Sequence, residues 1–187
     1  MDLPVHIAGG AFAGNMILHC SRYSGRHLPS DSFKMGMACF LAGVYSHLLL
    51  DALPYYDWIF HIPIFSELPG KWLWRQVAAT VPVIIMILVF SRRHWFLSLV
   101  SMNGGLYPDL EKLLYFDFHL PKAFVVFPYH SCRLSDSAWE KAHEFHLIVF
   151  EIALFALLMT GIFLTSHYTN SPLVLYNAEC KPEECKN

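Results

Sequence analysis

The stretch SHLLLDALPYYD, Ser46 to Asp57, sets a histidine and two aspartates in and beside a run of leucines. His47 and Asp51 are spaced i and i+4, so on a helix they share one face. A lone charge in apolar surroundings is costly, so these groups either pair with each other or bind something. Imidazole with carboxylate is a donor set suited to zinc or a similar divalent ion. A His–Asp hydrogen bond at a helix end satisfies the same two side chains without an ion. Asp57, beyond Pro54, adds a second carboxylate to the stretch.

Other groups of the same chemistry are scattered along the chain. His6 precedes Gly9, Gly10, Ala13 and Gly14, and the Gly10–Gly14 spacing permits tight helix packing. Gly43 and Gly36 continue the His47–Asp51 face. In GGLYPDLEKL, two glycines that allow close backbone approach precede Pro108, Asp109 and Glu111. HEFH, His143 to His146, opens a long apolar run, and residues at that spacing can share a metal. Glu151 lies inside the run, where a carboxylate is a functional candidate by default. FPYHSC contributes His130; a lone loop histidine reads as solvated. There is no phosphate-cradling glycine loop, no CxxC pair and no G-x-S-x-G elbow.

The elements that must position these groups follow from composition. The chain has 187 residues, enough for one domain with a sizeable core, and is 55% hydrophobic but only 15% charged. A soluble domain carries about 25% charged residues, so the composition is that of a membrane protein. A net charge of -2 gives no sign of nucleic-acid binding. Five cysteines are scattered without the spacing of a disulfide framework, two of them, Cys180 and Cys185, in a polar tail. MDLPVH lacks the basic start of a cleavable signal peptide.

A span needs about 20 largely apolar residues. Leu147 to Thr165 is the strongest, followed by Val77 to Phe90, which Trp72 and Trp74 precede as interfacial anchors. Met35 to Leu50 and the small-residue-rich Leu3 to Cys20 come next. His94 to Tyr107 is the weakest and is predicted to stop at Pro108. The predicted fold is therefore all-α, an integral membrane helical bundle of about four or five transmembrane helices. It occupies residues 1–166, with a long polar connection at 108–142 and a polar tail at 167–187.

If all these segments cross, parity puts four places on one face of the membrane. They are the start of the first, the ends of the second and fourth, and the start of the fifth. His6, His47, Asp51, Asp57, Asp109, Glu111, His143 and His146 then converge, and His119 and His130 on the long connection share their side. Arg22, Arg26, Arg92 and Arg93 in the short turns favour the cytoplasm for the opposite face.

Four stretches, MDLPVHIAGGAF, GVYSHLLLDALPYYD, GGLYPDLEKL and FPYHS, together resemble a group of bacterial integral membrane proteins. That group is related to the LexA-regulated, membrane-bound metal-dependent hydrolases and is distantly similar to zinc-dependent phospholipase C. The resemblance covers roughly Met1 to His146 and rests on the order and spacing of its motifs. It implies a multi-pass protein of the bacterial inner membrane with a divalent metal site, zinc first. The ligands it implies are His6, His47, Asp51, Asp109 and a later histidine, from His130, His143 and His146. The chain departs from the broader family in having HEFH where better-known members have HRGxTHS. Tyr56 also stands where relatives often carry histidine.

The expected activity is hydrolysis of a phosphoester or lipid substrate at the bilayer surface. A bound ion lowers the pKa of its water to about 7, and Asp57 or Glu111 is the expected proton acceptor. The alternative is a non-enzymatic membrane protein in which the same cluster is a structural metal site, an ion pathway or a haem site.

Overall fold

The computed structural model describes residues 3–23, 32–53, 72–117, 119, 121, 125–127 and 143–170. Among these, five helices and no strands form: α1 (Leu3–Tyr23), α2 (Ser32–Asp51), α3 (Trp72–Phe90), α4 (Trp95–Asp117) and α5 (Glu144–Asn170). The all-helical expectation is met. Phe33–Asp51 and Glu144–Tyr168 are long and apolar enough to cross a membrane, and Gln76–Phe90 is a shorter apolar stretch.

Contacts at the two ends show that the helices run up and down. At one end the first amide of α1, on Leu3, has no partner within its own helix. It donates to Gln76 Oε1 at the start of α3, 3.1 Å away. His6, a turn later on α1, meets Asp51 at the end of α2. At the other end Asn15 of α1 donates to Ser91 after α3 and to Ser166 late in α5, at 3.1 and 3.2 Å. Ser98 near the start of α4 donates to Asn15 Oδ1. Between these polar ends lies an apolar core of Ile7, Ala8, Ala11, Val83, Ile87, Met102, Met159 and Ile162.

Three boundaries differ from the sequence expectation. The helix expected to stop at Pro108 continues to Asp117, with Pro108 fully buried inside it. A proline inside a helix removes one ladder bond and costs about 3 kcal/mol. Here the helix is held along its length between α1 and α2, and that packing offsets the lost bond. Asp109 and Glu111 therefore belong to a helix and not to a solvated turn, and the connection begins later than residue 108. Trp72 and Trp74 lie within α3, not ahead of it. The last helix runs past Ser166 to Asn170, so the bundle takes in the first residues of the expected tail.

The packing of α4 depends on missing side chains. A Cβ on Gly10 would stand 2.7 Å from the Ser101 carbonyl oxygen, and one on Gly105 would stand 2.7 Å from that of His6. On the other flank, a Cβ on Gly43 would collide with the Ser101 carbonyl and one on Gly104 with the Phe40 carbonyl. Helix backbones meet directly at these points, as small-residue spacing allows. The Ser101 hydroxyl lies 2.5 Å from the Gly10 carbonyl and 2.9 Å from that of Cys39, tying α4 to both neighbours. A Cβ on Gly36, on the same sequence pattern as Gly43, would meet nothing within 4 Å among the described residues, so no described helix packs closely there.

The two glycines give a matched test. Gly43→Ala forces the α2 and α4 backbones apart and should cost about 1–3 kcal/mol, as overpacking does. Gly36→Ala meets nothing and should be neutral or stabilising by up to about 1 kcal/mol through helix propensity. Thermal unfolding of the purified variants reads the difference; equal melting temperatures would remove the close-approach account.

Candidate metal centre

The site is built from three helices, each supplying its part for a local reason. The spacing of His47 and Asp51 puts both on one face of α2, with the His47 ring fully buried. Its Nδ1 lies 2.6 Å from the carbonyl oxygen of Gly105 on α4. A carbonyl only accepts, so Nδ1 carries the proton. That carbonyl is within reach because Gly43, Gly104 and Gly105 let the backbones approach. Pro108 also lacks the amide that would bond to Gly104, which opens the ladder one residue away.

With Nδ1 donating, Nε2 of a neutral His47 presents its lone pair to the bundle end. There it faces Asp51 Oδ2 at 3.2 Å and Asp109 Oδ1 at 3.9 Å. A lone pair directed at two carboxylate oxygens is repulsive unless a cation stands between them. On α1, His6 Nε2 lies 3.1 Å from Asp51 Oδ1, so one carboxylate reaches both histidines with a different oxygen for each. The two imidazoles stack, with ring centres 3.9 Å apart and planes 23° apart. His6 Nδ1 is buried and meets no hydrogen-bond partner among the described residues, so the contact that orients this ring at its polar edge is the one from Nε2 to Asp51. The carboxylates of Asp51 and Asp109 are 18% and 21% exposed, whereas the imidazoles are closed off, so the cluster opens on its carboxylate side.

This donor set fits a divalent ion. His6, His47 and Asp51 each offer one ligand atom, and the three atoms lie within 4.8 Å of one another. Two donors about 2.1 Å from a tetrahedral zinc stand ~3.4 Å apart, and the imidazole–carboxylate separations of 3.1 and 3.2 Å lie close to that. A Nδ1–H bond to a backbone carbonyl, as in His47, is the usual support for a metal-binding imidazole. Haem ligation fits poorly, because rings in stacking contact leave no space for a macrocycle between them.

Not every residue picked from the sequence comes to this place. His6, His47, Asp51 and Asp109 do. His146 is exposed, its ring edge-on to Phe145, and His143 is half-buried just ahead of α5. Asp57 and His130 lie outside the described residues. Glu111 is buried, but its two oxygens accept the amides of Phe127 at 2.7 Å and Val126 at 3.0 Å. Tyr107, one turn earlier on α4, meets the Phe127 ring edge-on at 6.1 Å. Glu111 therefore anchors Val126 and Phe127 to α4. Glu151 is fully buried on the inward face of α5. What the sequence did not reveal is the Gly105 carbonyl. Two glycines three and four residues before a proline marked a close approach, but not which imidazole would use it.

The role of Glu111 has a direct readout. Glu111→Ala leaves the Val126 and Phe127 amides without an acceptor, so their hydrogen exchange should speed up by an order of magnitude or more, while α4 amides near Ser101 stay protected. Unchanged exchange at both amides would mean that the carboxylate does not hold the segment.

No protein-family model, no curated protein and no solved structure matches this chain, so its function is read from the cluster itself.

Proposed function

We propose that this chain is a multi-pass protein of the bacterial inner membrane that holds a divalent metal, zinc first, at one end of its helix bundle. Its activity is hydrolysis of a phosphoester, in lipid or at the bilayer surface, as the resemblance to membrane-bound metal-dependent hydrolases implies. The observation that carries this reading is the His47 arrangement: a buried imidazole whose proton is committed to Gly105 and whose lone pair faces Asp51 and Asp109.

The distribution of side chains supports the membrane setting. Polar groups are inside: His6, Asn15, Gln76, Ser98, Ser101 and Glu151 are all buried. Large apolar groups are outside, including Leu41, Tyr45, Ile85, Val89, Leu157 and Phe163. In water such exposure is a liability. In lipid it is the expected arrangement, with small and polar residues packing the helices together.

His6, His47, Asp51 and Asp109 would hold the ion, which when bound polarises a substrate oxygen and acidifies water. The protein's own part is to hold the donors. Gly105 orients His47, Asp51 bridges the two imidazoles, and the closed side of the cluster excludes water from the histidines. The partly exposed carboxylates leave the ion approachable from their side.

One observation favours the non-enzymatic reading. The 3.1 and 3.2 Å separations are also hydrogen-bond lengths, so a protonated His47 held by Asp51 and Asp109 would satisfy the cluster without an ion. Elemental analysis of protein purified in mild detergent decides between them. We expect metal to copurify, and His47→Ala or Asp51→Ala to lose it, with any phosphodiesterase activity, while still inserting in the membrane. Metal-free wild-type protein that also fails to take up added zinc would sink the proposal.

A further inference from the structure

We infer that two copies of this chain pair through the outer face of α4, with their Asn103 side chains bonded to each other across a two-fold axis. This rests on the membrane setting proposed above and not on the metal. Asn103 is exposed, and it lies far from both polar ends of the bundle. It comes five residues after Ser98, which bonds to Asn15 at one end, and six before Asp109, which faces His47 at the other. At 1.5 Å per residue that is ~8 and ~9 Å along the helix. Its Nδ2 donates to the Leu99 carbonyl one turn back, at 2.8 Å. The second amide hydrogen and the carbonyl oxygen meet no partner among the described residues. In water both would be solvated. In lipid an unsatisfied amide is costly. Thr160, exposed on α5, differs in returning its hydroxyl proton to its own helix, at Ala156.

The residues around Asn103 form a stripe suited to a partner helix. Phe96, Asn103 and Leu110 stand seven residues apart and are all exposed, as is Tyr107 one turn after Asn103. Seven-residue spacing keeps one line of side chains facing a neighbouring helix, and a single asparagine in such a line fixes register and the number of helices. The stripe is clear of the contacts within the bundle, since Gly105 faces α1 and Gly104 faces α2. It flanks α2 where the Phe40 ring meets Tyr107 edge-on. One turn before Phe40, a Cβ on Gly36 would meet nothing within 4 Å. The occupant that fits is a second copy, because a carboxamide is its own complement. Copies inserted in the same sense are related by a two-fold along the bilayer normal. That axis sets α4 parallel to its counterpart and brings both Asn103 amides to one depth. Each then gives its free hydrogen to the other's oxygen.

The test uses full-length protein labelled on its cysteines with donor or acceptor dyes and reconstituted together in phosphatidylcholine vesicles. Energy transfer is expected to fall on dilution with lipid as for a two-copy complex. Asn103→Leu and Asn103→Ala should each weaken association about tenfold, the effect of losing two interhelical hydrogen bonds. Neither should lower the melting temperature in detergent, since the side chain is outside the bundle. Asn103→Gln keeps an amide and should retain most of the association. No transfer from inserted wild-type protein, or transfer that both substitutions leave unchanged, would overturn the pair. Protein that alkaline carbonate strips from membranes would instead overturn the membrane setting on which it rests.

Discussion

The direct contact of the α4 backbone with α1 and α2 is the constraint on which the rest of the structure depends. Gly10, Gly43, Gly104 and Gly105 lie where a methyl group would strike a carbonyl or Cα of the facing helix. Only because the backbones come this close can Ser101 reach carbonyls on two neighbours at once. The same approach lets the Gly105 carbonyl accept a hydrogen bond from His47 Nδ1. A larger residue at any of these points would change both the packing and the imidazole's orientation. Fold and candidate site are thus one object here, since His6, His47, Asp51 and Asp109 all stand on helices.

The bundle also solves an unusual solvation problem. Buried histidine, asparagine, glutamine and serine side chains need partners, and they find them across helices. Asn15 links three segments at one end, and the imidazole–carboxylate cluster links three helices at the other. Between the two ends the core is aliphatic. Such polar contacts specify which helices adjoin and in what register, because a mismatched alternative would leave a polar group unsatisfied. Many exposed side chains of the described helices, by contrast, Leu41, Ile85, Val89 and Leu157 among them, are apolar and make no such demand.

Asp51 is the most connected member of the cluster. It is close in sequence to His47 but reaches His6 on another helix, and its two oxygens are divided between them. Asp109 approaches from α4 because that helix does not end where its proline suggested. Glu111, two residues later, faces another way, since successive side chains on a helix turn by about 100°. Neighbours in sequence therefore do different work: Asp109 faces the histidines while Glu111 holds the connection.

Composition determined that the chain would be apolar, and the length of its apolar segments that it would be helical. The i, i+4 spacing alone placed His47 and Asp51 on one face, and the alternation of helix directions brought His6 and Asp109 to the same end. These were legible because they depend on periodicity and parity, which a sequence carries explicitly. The course of α4 through Pro108 was not, because local preference there is outweighed by packing on both flanks. Nor was the choice between Gly36 and Gly43, which look alike in sequence, while only one meets another helix. The stacking of two imidazoles, the Gly105 carbonyl behind one of them and the division of a single carboxylate between both were decided by tertiary structure. They depend on distances of a few ångströms between helices far apart in the chain, which no local pattern encodes.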